Sequence, residues 1–176
     1  MNKLSATEQL ALINTALQLG INPDDLYALI DFESRWNPVA KNPDSSARGL
    51  IQFIDSTAKD LGYENSLDLV TKNPTIETQL KGPVYEYLKQ WIPYTGKQSL
   101  YMAVFYPTAR TWPPEKEFPE WVQNNNPGID TVQSYMDKVK PFELTENKPS
   151  NLLLSGAVAL VGLGLFFIYS FSKKGQ

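Results

Sequence analysis

The sequence predicts an α+β domain that is mostly α, followed by a single transmembrane helix at its C-terminal end. Capped segments with apolar residues at helical spacing recur from Ser5 to Lys140, and the one stretch suited to a small hairpin lies near residues 37–54. Leu152 to Phe171 is a run of 20 residues without a charge. The 176 residues therefore divide into a domain at 1–140, a polar linker at 141–151, a transmembrane helix at 152–171 and a short basic tail at 172–176. No internal repeat is visible.

Ser5-Ala6-Thr7-Glu8 has the form of a capping box, and Leu10, Ile13 and Leu17 make an apolar stripe ended by Gly20. A second helix should begin at Asn22, an N-cap followed by Pro23 and two acids, and stop near Arg35 because Pro38 disfavours helical geometry at Asn37. The polar loop 36–48 follows, then Gly49, which lets backbone approach either packed chain or a ligand. Asp55 or Ser56 should cap a short helix ending at Gly62, and Ser66 another ending before Asn73-Pro74. From Pro74 to about Ile92 a longer helix carries Ile76, Leu80, Tyr87 and Trp91 on one side, with a kink at Gly82-Pro83. Ser99 should open a compact apolar helix stopped by Pro107, and the Pro-rich segment 107–128 reads as an irregular wrap. Asp130 should cap a last helix, Thr131 to Lys140, closed by Pro141.

Composition excludes several chemistries. There is no Cys and no His, which removes disulfides, zinc sites of the usual kind, thiol nucleophiles and imidazole bases. Residues 1–150 hold 14 basic against 19 acidic residues and no basic run, which argues against nucleic acid as a partner. Acid–base chemistry must then run on carboxylates, Tyr or Lys, with no metal and no cofactor expected.

Glu33 is the candidate for it. Leu26, Leu29, Ile30 and Glu33 fall at i, i+3, i+4 and i+7, so the carboxylate shares the apolar face of the second helix. It also sits in the last turn, where the macrodipole disfavours negative charge. Desolvation and dipole both raise the pKa, and a carboxyl protonated near neutral pH is what a general acid for glycosidic cleavage needs. The alternative is a half-exposed helix-end Glu paired with Arg35.

Glu33-Ser34, Asn42-Pro43, Ser45-Ser46-Ala47 and Gly49-Leu50-Ile51-Gln52-Phe53 together resemble the signature of soluble lytic transglycosylases of the lysozyme-like superfamily. The match is ordered and spaced over more than 20 residues. It implies a lysozyme-like domain acting on peptidoglycan glycan strands, with Glu33 catalytic, Ser34 binding substrate or supporting the residues that do, and the loop carrying Gly49 and Gln52 lining the substrate groove. Gln52 offers an amide for a sugar N-acetyl group or for holding the loop, and Phe53 and Tyr106 are candidate sugar-stacking aromatics. Asp130-Thr131, Tyr135 and Val139 resemble a family helix whose Tyr hydroxyl lies near the catalytic Glu; an ordinary core Tyr is the other reading of Tyr135. Met102 to Pro107 stands where many family members read Ala-Tyr-Asn-Ala-Gly, so a sugar contact from that Asn is missing here. The Phe105-Tyr106-Pro107 form is similar to transglycosylase domains of phage virions.

By that resemblance one Glu acts twice, as acid and then as base, and leaves a 1,6-anhydro product without consuming water. A hydrolytic muramidase would pair Glu33 with a second carboxylate, for which the sequence offers Asp44 and Asp55. A non-catalytic peptidoglycan-binding or structural membrane protein is the rival of another class. At about 1.5 Å per residue the run 152–171 spans a hydrocarbon core of about 30 Å. Tyr169 suits the interface and Lys173-Lys174 can snorkel, so a lipid bilayer is an expected partner. No export signal is legible at the N-terminus. The expectation is therefore a virion membrane, with the domain facing the periplasm during genome entry and other virion proteins as possible partners; a bacterial inner membrane is the alternative.

Overall fold

The computed structural model describes residues 4–142. The linker beyond Phe142, the transmembrane helix expected at 152–171 and the basic tail lie outside the described residues. Among the described residues no helix is long and apolar enough to cross a membrane.

Helix α1, Ala6–Leu19, begins at the predicted capping box: Ser5 Oγ accepts from Glu8 N–H, and the Glu8 carboxylate accepts from Ser5 N–H. Gly20 closes it in the left-handed conformation with φ 69°. The buried face is Ala11, Leu12, Thr15, Ala16 and Leu19, not the stripe read from the sequence. Leu10 and Leu17 are 43% and 63% exposed. The helix carries two apolar stripes, and the one with small residues lets α1 press close to its neighbours, where Thr15 Oγ1 donates to the Leu80 carbonyl.

Helix α2, Pro23–Ser34, packs against α1. Asn22 caps it, accepting from Asp24 N–H at 2.9 Å, and Leu26, Leu29 and Ile30 are fully buried. The predicted hairpin survives only as isolated bridges, Lys41 with Arg48 and Arg48 with Phe53. The 36–54 segment turns too often to extend a ladder. It is held instead by Gln79, itself fully buried: Oε1 accepts from Leu50 N–H at 2.9 Å, and Nε2 donates to the carbonyls of Pro38 and Asn73. Gly49, at φ 77°, lies so close that a Cβ there would stand 2.7 Å from Gln79 Oε1. Packed chain, then, is what this glycine approaches.

Helix α3, Asp55–Asp60, starts from Ile54 without a side-chain cap, because Asp55 Oδ1 is taken by Ser66 N–H at 3.0 Å. Helix α4, Ser66–Lys72, is capped by Asn65, one residue before the expected Ser66. The long helix expected from 74 to 92 is a broken rod. Helix α5, Ile76–Gln79, leads into a kinked segment Leu80–Val84, where Gly82 leaves helical geometry at φ −107°, ψ −109° and Pro83 follows. Helix α6, Tyr85–Leu88, then tightens into a 3₁₀ turn, Lys89–Trp91.

Helix α7, Lys97–Phe105, contacts both α2 and the last described helix, Val132–Lys138. The stretch read as irregular contains a 3₁₀ turn, Pro107–Thr111, and helix α8, Glu120–Asn125. Arg110 pins the turn, donating to carbonyls of Trp91, Pro93 and Ser99. Helix α9, Val132–Lys138, is capped by Thr131 in a box with Ser134, not by Asp130. The fold is thus mostly α, with its β component reduced to bridges among the described residues.

Candidate active site

Glu33 is placed by an abrupt helix end. Arg35 and Trp36 follow α2 with φ 55° and 64°, two consecutive non-glycine residues in the left-handed region. Such residues cost of order 1 kcal/mol or more each. Burial of Trp36, 4% exposed and 4.9 Å from the Tyr27 ring, offsets that strain. The chain turns away at once, which leaves Glu33 in the last turn at the wall of a cleft of about 400 Å³.

The carboxyl does not pair with Arg35, whose guanidinium lies 3.6 Å from Asp31 and is mostly exposed. Its partner is Tyr135, whose hydroxyl donates to Glu33 Oε1 at 2.7 Å across 102 residues of sequence. Tyr135 is fully buried, stacked on Phe105 at 4.4 Å and met edge-on by Phe32 at 5.4 Å. Burial, and then the Glu33 charge, hold its hydroxyl far above the usual phenol range, so it stays a donor. Burial pushes the Glu33 carboxyl up from 4.5 to about 7, against the Tyr135 hydrogen bond, which favours the charged form. Glu33 keeps part of its surface open to the cleft, while protein crowds the carboxyl from behind. At pH 7 about half of such carboxyls hold the proton, so the group is able both to give one and to take one back.

One wall of the cleft comes from the loop after α2. Gln52 lies in it at φ 56°, its Nε2 donating to the Gly49 carbonyl at 3.0 Å, and no hydrogen bond engages its amide oxygen among the described residues. Phe53, 2% exposed, shapes the same wall with Ile54 and Thr57 and meets Tyr87 edge-on at 6.2 Å. Val104, Phe105 and Pro107 also line the cleft, as does Asn126, just past the end of α8. Glu33 is the one carboxylate among these lining residues. Asp44 is exposed in a turn built on Asn42, and Asp55 is engaged with Ser66; neither lines the cleft. Among the described residues no group of three or more acidic residues gathers as a metal site would require.

Of the residues singled out from the sequence, Glu33, Gln52 and Phe53 come together in the cleft, with Tyr135 directly behind Glu33. Ser34 is buried and donates to the Ile30 carbonyl of its own helix, away from the lining. Tyr106 stands next to the lining residues Phe105 and Pro107 but packs outward against Trp112, Phe118 and Trp121. Sequence reasoning missed Tyr87 and Asn126 as cleft residues. Tyr87 reads as core because it shares a stripe with Leu80 and Trp91, and its hydroxyl does donate to the Ala103 carbonyl at 2.7 Å. Asn126 sits in an aperiodic Pro-rich segment that offers no signal at all.

No curated protein matches the chain. Residues 11–104, more than half of its length, match the family model described as the transglycosylase SLT domain, so that the buried acid at the end of α2 and the loop walling its cleft belong to a member of that family, whose activity is lytic transglycosylation of peptidoglycan.

Proposed function

We propose that the domain cleaves the β-1,4 bond between MurNAc and GlcNAc and closes the MurNAc end as a 1,6-anhydro ring, with Glu33 as its only acid and base. The Glu33 carboxyl gives its proton to the bridging oxygen, the C1–O bond breaks, and GlcNAc leaves with a free hydroxyl. The N-acetyl carbonyl of MurNAc stabilises C1. The Glu33 carboxylate then takes the proton of the C6 hydroxyl, whose oxygen bonds to C1 and restores the acid. Atoms balance without water.

The observation that carries this reading is a single carboxyl, raised to about 7, alone in its cleft. Such a group is protonated when the leaving oxygen needs it and basic enough afterwards to accept the second proton. The Tyr135 hydroxyl, donating to Oε1, steadies the carboxylate formed between the two steps. Gln52 presents an unengaged amide oxygen to a sugar N–H or hydroxyl. The hydrolytic alternative needs a second carboxylate, but Asp44 is exposed in a turn outside the cleft and Asp55 is engaged with Ser66. Digestion of purified peptidoglycan, with the products weighed by mass spectrometry, tests the proposal. Anhydro ends are expected; reducing ends would mean a muramidase, and no soluble product a binding module.

We further propose that Leu152–Phe171 anchors the domain in a membrane carried by a phage particle, so that the domain opens the wall locally when the genome enters. The uncharged run and the Lys173-Lys174 pair behind it support anchoring with the domain on the periplasmic side. Proteomics of purified particles tests this: the chain should be found there, and its presence only in uninfected cell envelopes would place it in the bacterial inner membrane instead.

A further inference from the structure

Resting on the reading of the cleft as a glycan site, we propose that the sugar-binding surface continues past it onto the open face of Trp121, which seats a further ring of the same peptidoglycan strand. Trp121 is 61% exposed on α8. Its indole is held from one side by Tyr106, at 6.1 Å and 62°, and Tyr106 is braced in turn by Trp112 at 5.6 Å and buried Phe118 at 5.7 Å. An exposed ring fixed in this way loses little freedom when a ligand lies on it.

Two connections join Trp121 to the cleft. Tyr106 sits between Phe105 and Pro107, both of which line it, and α8, which carries Trp121, ends just before Asn126, which lines it as well. Of the aromatic residues in this cluster, Phe118 is buried and Trp112 already carries the Lys116 ammonium 3.8 Å from its ring centre. Trp121 alone in the cluster offers a largely open face.

The surrounding chemistry selects a saccharide. Gln123, Asn125 and Asn126 spend their amide nitrogens on the carbonyls of Phe118, Trp121 and Val122. No hydrogen bond engages their amide oxygens among the described residues, so they present acceptors to hydroxyl and N-acetyl N–H donors. An exposed apolar ring, on a helix whose amide oxygens are open to donors, suits the C–H face and polar rim of a pyranose. An anionic lipid surface suits it badly, since Glu115, Glu117 and Glu120 are exposed in the same stretch of chain and Lys116 is already committed to Trp112.

The test uses the full chain in detergent micelles. Trp121→Ala should lower kcat/KM on long glycan strands by about tenfold, mainly through KM, and by a clearly smaller factor on fragments short enough to fill only the cleft. Trp121→Phe should recover most of the loss. Leu17→Ala, an equally exposed apolar residue on α1, should change neither substrate. In the Glu33→Gln background, Trp121→Ala should weaken binding of long soluble GlcNAc oligomers, read by calorimetry, by a similar factor. Equal losses on long and short substrates, or unaltered oligomer affinity, would overturn the subsite. Should no variant and no wild-type chain cleave glycan, the proposed chemistry fails, while the oligomer titration still decides the subsite by itself.

Discussion

Residues 22–54 and residues 105–139 meet at one carboxyl, yet they encode their parts in opposite ways. In the first region, function is written in local spacing. The cap at Asn22, the Leu26–Ile30 stripe and Glu33 in the last turn are set by neighbours a few residues apart, and Gln52 by its own bond to the Gly49 carbonyl, in a loop that Gln79 holds from further along the chain. In the second region almost nothing is local. Tyr135 reaches Glu33 from 102 residues away, Phe105 matters because it stacks beneath Tyr135, and Asn126 enters the cleft from the end of a six-residue helix. The family match ends at residue 104, close to the border between the two. The proposed acid is thus specified by a short motif, while the groups around it are specified by packing.

Removing the proposed acid should give the largest effect. Glu33→Gln keeps the shape of the side chain and takes away the transferable proton, so cleavage should fall by about a thousandfold or more. Muropeptide release from purified peptidoglycan measures it. Asp44→Asn and Asp55→Asn should leave most of the activity; a loss as complete as that of Glu33→Gln in either would give the second carboxylate back to the reaction and make the first region's single Glu insufficient.

Legibility followed the same division. The α1 capping box, the Asn22 cap, the Gly20 stop and the Gly82-Pro83 kink were readable because each is a steric or hydrogen-bonding choice made within one turn. The buried stripe of α1 was not, because Leu10/Ile13/Leu17 and Leu12/Thr15/Ala16/Leu19 both satisfy helical periodicity and only tertiary contact chooses between them. The hairpin was over-read for a related reason. What holds 36–54 is a buried Gln79 carboxamide far along the chain, and no strand pattern announces that. At the site, Glu33, Gln52 and Phe53 were legible from the motif, and Tyr135 was legible only as a resemblance. Tyr87 and Asn126 were not legible, since a stripe residue and a loop amide carry no mark of the cleft they face.

The same Glu33→Gln variant sharpens the comparison through stability. A Glu33 pKa of about 7 in the folded chain against 4.5 unfolded means that the folded state holds the proton more tightly. Its stabilising contribution is full below about pH 4.5 and is lost as pH rises through 7. At 1.36 kcal/mol per unit the loss is on the order of 3 kcal/mol, less to the extent that the cleft admits water. Urea titrations of both proteins at acidic and alkaline pH should therefore show Glu33→Gln gaining on the wild type as pH rises. Parallel curves would mean that the motif places Glu33 without burying it.

Within the first region, Gly49→Ala tests whether the loop is held by packing. The new Cβ would meet Gln79 Oε1 at 2.7 Å and would sit at φ 77°, so about 2 kcal/mol of destabilisation is expected in chemical denaturation, together with reduced activity as Gln52 shifts. A neutral substitution would show that the Gln79 clamp yields readily and that this loop is set by its own turns.

The smallest expected effect belongs to the second region and asks what the long-range partner contributes. Tyr135→Phe keeps the ring that Phe105 and Phe32 hold and removes only the hydroxyl that donates to Glu33 Oε1. That hydrogen bond favours the charged carboxyl, so its loss should raise the Glu33 pKa further above about 7. The activity that depends on protonated Glu33 then persists to higher pH, and the alkaline limb of the pH–rate profile moves up. At the same time the carboxylate formed after the first proton transfer loses its donor, so kcat should fall by about tenfold, the equivalent of one charge-assisted hydrogen bond. The two readouts separate tuning from support. A lower kcat with an unmoved alkaline limb would mean that Tyr135 merely props the helices around the site, whereas a shifted limb at a lower kcat would show a residue 102 positions away setting the proton affinity of the acid that the motif supplies.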